Sequence, residues 1–394
     1  MKIFNTVVLS VGIGSVGFAL GAPNGDRPDD RHAWAVHDEN RPNPIEILAE
    51  EESPPSDAIV LFDGTEESVK RHWCDIKGNP TKWVVRDGAF YCVPSSGMAY
   101  VRDEIGDCQI HVEFRIPDPP GEGLGNSGVY VHGLYEIQVL HSYYNTDSYH
   151  PMPPWKHANY ADGQLGAIYG QNPPIVNPAR NVGKWQSFDI VFHAAVWEDG
   201  HLVRSATLTV FLNGVLIQDE WRLEGPTGYV RRPQHDGKRE LATNRILALQ
   251  DHGHPVAFRN IWARGIPFRR ANMIHGGEFF DAAEAERVRV RLAGETLKNA
   301  RASTNMANRL VWLWESYMYH EDVAVKMEID DVTARYIAQI ETWAVPLSED
   351  HSLELSNMIG FVDMGVRCGM FTRDAPLARV MNSVRKRNLP RKRE

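Results

Sequence analysis

The stretch Gly125 to Tyr143, GNSGVYVHGLYEIQVLHSY, decides how this chain is read. Side chains alternate across a strand, so Val129, Val131, Ile137 and Val139 share one face while Tyr130, His132, Glu136 and Gln138 share the other. The first set packs a core. The second is not the Lys, Thr and Ser of an ordinary solvent face. Tyr, His, Glu and Gln together can stack on a sugar ring, bond its hydroxyls and move a proton. One continuous strand with a chemically equipped outer face is therefore expected here.

Working outward, short alternating runs divided by Gly, Pro, Asn and Asp continue on both sides from Ala58. Strands are predicted at 89–93, 108–116, 127–140, 184–193, 205–212, 215–218, 245–250 and 257–264, and Asn213-Gly214 is a two-residue hairpin signal. So many strands with so little helical pattern between them predict a mainly β, two-sheet antiparallel sandwich. The segment 144–163, rich in Tyr, His, Pro and Trp155, is expected to border a binding site.

Beyond Arg270 the period becomes helical. Met306, Leu310, Leu313, Trp314 and Tyr317 form one apolar stripe, and Val332, Tyr336, Ile340 and Trp343 form another. A smaller α-helical C-terminal region is predicted over 275–394, with the aromatic stripes as packing and the basic run Arg385 to Arg393 as a solvated tail. At the other end, Lys2 precedes an apolar run from Val7 to Leu20 and then Gly21 and Ala22. That run is shorter than the roughly 20 apolar residues of a spanning helix. Residues 1–22 are read as a signal peptide, which predicts export to the periplasm or outside the cell and no membrane span in the mature protein. An uncleaved anchor is the alternative. The acidic, Pro-interrupted residues 23–57 read as a flexible linker. Across the 394 residues the formal net charge is -9, which argues against a nucleic-acid surface. Four cysteines allow three full pairings, and Cys108 has the parity of a small buried hydrophobe.

Five ordered segments resemble the 3-keto-disaccharide hydrolase family: the opening stretch, GAIYG at 166–170, GKWQSFDIVF at 183–192, FLNGVLIQ at 211–218 and LQDHGHPVAFRNIWAR at 249–264. LFDGT at 61–65 fits the family's beginning. The resemblance spans residues 58–268 and implies a concanavalin/laminarinase-like jelly roll, exported in bacteria, acting on glycosides whose sugar is oxidised at C3.

Laminarinase-like sandwiches carry E-x-D-x-x-E on the catalytic strand, where this chain has Glu136-x-Gln138-x-x-His141. A retaining glycosidase needs two carboxylates about 5–5.5 Å apart, and this strand supplies one. A 3-keto sugar needs less, because its ketone acidifies the C2 hydrogen. One base, one acid and an enolate stabiliser suffice to expel the C1 substituent. Glu136 or His132 is the candidate base, and His141 or Asp251 the candidate acid. Asn126, Tyr130, Gln138, Tyr169, Lys184, Gln250 and His252 complete the candidate substrate-binding set. No certain cofactor is predicted; a divalent cation held among His132, Glu136, His141, Asp251 and His252 would also stabilise an enolate. The expected partner is an oligosaccharide or glycoside. Two other readings are a non-catalytic lectin-like surface protein and an interaction protein working through its helical part.

Overall fold

The computed structural model describes residues 25–30, 32–41, 46–50, 53–121, 123–142, 160–242, 245–266, 282–344 and 346–388. The predicted leader, most of the 144–163 segment and the end of the basic tail lie outside these. The chain divides into two compact units, residues 46–268 and residues 1–45 with 269–394.

The 46–268 unit is the expected antiparallel β-sandwich. Its 8-stranded sheet runs, in spatial order, Val215–Arg222, Thr207–Leu212, Trp185–His193, Cys108–Arg115, Ala257–Gly265, Ala89–Tyr91 and Val84–Arg86, with Ile59–Phe62 paired to Ala257–Gly265. The 5-stranded sheet runs Trp73–Cys74, Ala99–Val101, Leu247–Leu249, Ser127–Val131 and Tyr135–Val139. Between the sheets, Val129, Val131, Ile137 and Val139 meet a core that includes Ile110, Val112, Phe114, Phe188, Ile190 and Phe192. All ten are 0% exposed, and each such side chain contributes roughly 1.5–3 kcal/mol by leaving water. The predicted hairpin at Asn213-Gly214 forms, with φ of 54° and 80° at the two residues. Trp185 lies on the outer side of its sheet beneath the Arg115 and Arg259 guanidiniums, 4.7 and 4.2 Å from the ring centroid.

The opening stretch corrects one expectation. It is two strands joined by a tight turn at His132, Gly133 and Leu134. The facing pairs are Val129 with Ile137, Tyr130 with Glu136 and Val131 with Tyr135, so each pair joins two odd or two even positions. Parity survives the turn, and Tyr130, Glu136 and Gln138 emerge on one face. His132 does not follow, because it takes the turn with φ 53°.

The cysteines form no disulfide among the described residues. Cys108 is fully buried, as its parity predicts, and burial pushes its thiol up to about 12.

The second unit contains helices Ala282–Ala302, Met306–Tyr319, Val323–Glu341, Glu349–Arg367 and Pro376–Asn388. Asn305, Asp322 and Ser348 cap three of them by accepting backbone N–H bonds. Leu310, Leu313, Val332 and Tyr336 from the predicted stripes are fully buried in its core. Residues 25–41 are not the free linker that their polarity suggested. Ala35 joins the helical core, Trp34 packs against it, and the Tyr319 hydroxyl bonds both Asp38 carboxylate oxygens at 2.7 and 2.6 Å. Two apolar anchors and buried polar bonds outweigh a sequence without apolar period. No helix among the described residues is long and apolar enough to cross a membrane.

Candidate functional site

Glu136 lies on the edge strand of the 5-stranded sheet, and its backbone is covered rather than exposed. Its N–H donates to Thr227 Oγ1 at 2.9 Å, and its C=O accepts from Tyr169 N at 3.1 Å. Such covering satisfies an edge that would otherwise present open hydrogen-bonding groups. On the outer face Glu136 is 3% exposed, and its carboxylate accepts from the Tyr130 hydroxyl at 2.6 Å. Tyr130 in turn accepts from Gln250 Nε2 at 3.1 Å. The order Gln250 to Tyr130 to Glu136 runs across three adjacent strands or their ends.

Burial dominates the electrostatics. It pushes the Glu136 carboxyl up to about 7, with the Tyr130 bond acting in the opposite direction. Burial also raises the Tyr130 hydroxyl, helped by the neighbouring carboxylate, so Tyr130 stays protonated at neutral pH. A carboxyl poised near neutrality beside a protonated phenol is suited to proton transfer in both directions.

A cavity of about 260 Å³ opens over this pair. Asn126, Tyr130, Glu136, Gln138, Tyr169, Gln250 and His252 all line it, so seven of the sequence-derived candidates converge. Among the described residues that line it there is no Lys or Arg, and Glu136 is the one carboxylate. The oxygens Gln138 Oε1 and Gln250 Oε1 are buried without a protein partner among the described residues. An unmet buried acceptor costs about 1–3 kcal/mol. Neutral acceptors, tyrosines and one carboxylate suit an uncharged polyhydroxyl ligand.

Gly128 faces Gln138 across the strand pair. A Cβ on Gly128 would come within 2.6 Å of Glu136 Oε1, so the glycine leaves room for the carboxylate. Gly128→Ala is expected to displace that group and lower turnover about 100-fold with the fold retained, checked by steady-state kinetics beside circular dichroism.

The four other candidates lie elsewhere. The His132 ring points away from the cavity, with Nε2 3.3 Å from the Gly106 carbonyl and its ring against Phe192. Burial lowers its pKa. His141 follows the end of its strand and is 1% exposed, with its N–H on the Leu124 carbonyl at 2.8 Å. Asp251 braces turns: its oxygens accept from Gly97 N at 2.8 Å and Gly253 N at 2.9 Å. Lys184 is exposed just before the Trp185–His193 strand of the other sheet. The five side chains suggested as a metal set are thus dispersed, and no group of three or more metal-ligating side chains occurs among the described residues.

Sequence reasoning missed Thr227, Gly228 and Tyr229, which also line the cavity. The bond from Glu136 to Thr227 spans 91 positions, and no periodicity announces a loop contact of that separation. A larger groove of about 1080 Å³ in the helical unit includes Trp314, Tyr317, Ile337 and Phe371, with ion pairs Arg27 to Glu321 at 3.7 Å and Lys326 to Asp330 at 2.6 Å along its lining. Size alone would favour it, but the smaller cavity holds the poised carboxyl beside a protonated tyrosine.

A family model described as the 3-keto-alpha-glucoside-1,2-lyase-like domain matches residues 57–264. Among solved structures, a protein of Parabacteroides distasonis ATCC 8503 provisionally named a glycosyl hydrolase is 32% identical. That match covers 60% of this chain and 98% of the other, with a TM-score of 0.51. A second such protein of the same organism is 20% identical over 53% of this chain and 94% of its own, with a TM-score of 0.38. The carbohydrate binding module CBM66 from Bacillus subtilis is 11% identical over 49% and 96%, with a TM-score of 0.27. No curated protein matches the chain.

Proposed function

We propose, from the premise that this chain belongs to the 3-keto-alpha-glucoside-1,2-lyase-like family and is a carbohydrate-active enzyme, that it cleaves 3-keto-glycosides by base-initiated elimination. The observation that carries this reading is Glu136, the one cavity carboxylate among the described residues, pushed by burial up to about 7 and bonded to a protonated tyrosine. One carboxylate does not serve a two-carboxylate glycosidase mechanism, and it is sufficient for removing an acidified C–H.

In the proposed step, ionised Glu136 takes the C2 hydrogen of the 3-keto sugar. The C2–H electron pair forms the enolate and then the C1–C2 double bond, while the C1–O pair leaves with the aglycone oxygen. Tyr130 donates the proton that this oxygen needs. Gln138, Asn126 and His252 hold hydroxyls and the enolate oxygen by hydrogen bonds. Release of the unsaturated product makes the protein a lyase, and water addition across its double bond makes the net reaction hydrolysis. The apolar run from Val7 to Leu20 supports export, which suits extracellular or periplasmic sugar substrates.

The test is to incubate the purified protein with 3-keto-trehalose and 3-keto-lactose, and with the unoxidised sugars, and to follow released sugar by mass spectrometry. Release from the keto sugars alone is the expected result. Binding of keto sugars without release would favour a lectin-like protein, and equal cleavage of the unoxidised sugars would overturn the elimination mechanism.

A further inference from the structure

The loop that carries Tyr229 is fastened at several points. Thr227 N donates to the Leu134 carbonyl at 2.9 Å, Gln171 Nε2 to the Gly225 carbonyl at 3.1 Å, and Glu224 N to Gln171 Oε1 at 2.9 Å. Gly225 has φ 134°, and a Cβ there would meet the Gln234 carbonyl oxygen at 2.2 Å, so this turn admits glycine alone. Yet the tip of this braced loop holds Tyr229 and Val230 in water, each 80% exposed. A large ring carried on a braced loop at the mouth of a cavity has little backbone freedom left to lose when it binds.

A second aromatic element stands at the same mouth. Tyr169 lines the cavity, and Tyr160, 54% exposed, meets it edge to face with centroids 6.1 Å apart and the two hydroxyls bonded. Tyr160 lies close over Gly163, where a Cβ would come within 2.3 Å of its ring. Both elements grip the backbone of Glu136, Thr227 through its N–H and Tyr169 through its C=O. The rim is therefore registered on the residue that the mechanism uses.

Size indicates what the rim is for. Pockets that enclose drug-sized ligands span about 300–1,000 Å³, and this cavity is about 260 Å³. It holds one sugar ring, so the remainder of a disaccharide must extend past the mouth. We propose that Tyr160, Tyr169 and Tyr229 form a second subsite, which stacks against the C–H face of a neutral pyranose leaving group attached at C1. This inference rests on the keto-glycoside reading for the identity of the first sugar. Among the described residues that line the cavity there is no Lys or Arg, which suits an uncharged ligand.

The experiment measures dissociation constants by calorimetry in a Glu136→Gln background, which suppresses turnover, for 3-keto-trehalose and for methyl 3-keto-α-glucoside. Tyr229→Ala is expected to weaken 3-keto-trehalose about tenfold and the methyl glycoside less than about twofold, with Tyr229→Trp restoring the difference. Tyr160→Ala is expected to act in the same direction. Because Tyr229 is exposed, its loss does not threaten folding. Equal weakening of both sugars, or of neither, overturns the subsite. If the native protein binds keto sugars without cleaving them, the elimination reading fails while the affinity ratio still decides the subsite. Failure of either sugar to bind overturns both.

Discussion

Glu136→Gln is expected to lower turnover of 3-keto-glycosides by about 1,000-fold or more, within the range that a positioned general base contributes. The glutamine keeps the volume and can still accept from the Tyr130 hydroxyl, which bonds Glu136 Oε2 at 2.6 Å. It cannot take up a proton from carbon. The expected signature is therefore a collapse of kcat with keto-sugar affinity changed far less, measured by single-turnover mass spectrometry beside calorimetry. A variant that retains more than about one tenth of native turnover would remove Glu136 from the base role.

The second large effect is the dependence on pH. Burial pushes the Glu136 carboxyl up to about 7. Only the ionised form accepts the C2 proton, so kcat/KM should climb with pH and level off above about 7. At pH 5 it should be about 100-fold below the plateau, since each unit below the pKa costs about tenfold. Tyr130→Phe removes the hydrogen bond that acts against burial, so the limb should move to higher pH. A limb that moves to lower pH in that variant would contradict the proposed pairing.

The same titration changes stability. The folded pKa lies above the ordinary carboxyl value of 4.5, so the folded state holds this proton more tightly than the unfolded chain does. The contribution is fully present below about pH 4.5 and is lost as pH rises through about 7. For a carboxyl raised from 4.5 to about 7, the loss is about 3 kcal/mol. Glu136→Gln has no such proton, so relative to the native protein it should gain stability between pH 5 and pH 8 in denaturant titrations. Identical pH dependence of the two proteins would show that the carboxyl is not buried in solution.

The sandwich and half of its chemistry were legible in the chain because alternation is a local property. Val129, Val131, Ile137 and Val139 had to face inward, and that alone put Tyr130, Glu136 and Gln138 together on the other side. The hairpin did not spoil the reading, because its pairs preserve parity. Where regular strand ends, the same logic fails. His132 enters a turn with positive φ, His141 lies two residues past the strand's last residue, and Asp251 accepts from the amides of Gly97 and Gly253. Lys184 had the right residue type on the wrong sheet.

In the helical unit, the stripes through Leu310 and Tyr336 were similarly readable, whereas the packing of Ala35 and the bond from Tyr319 to Asp38 were not. Residues 38 and 319 are brought together by burial of apolar surface that polar composition around them conceals. By itself, then, the sequence determined the class of fold, the polar face of the central hairpin and the likeness to enzymes of oxidised sugars. Tertiary structure decided which of eleven candidates share a cavity, that Thr227 and Tyr229 join them, and that Glu136 is buried enough to be poised near neutrality. The reason is physical: alternation depends on neighbours two residues apart, while desolvation and loop contacts depend on chain segments about ninety residues away, as the Glu136 to Thr227 bond does across 91 positions.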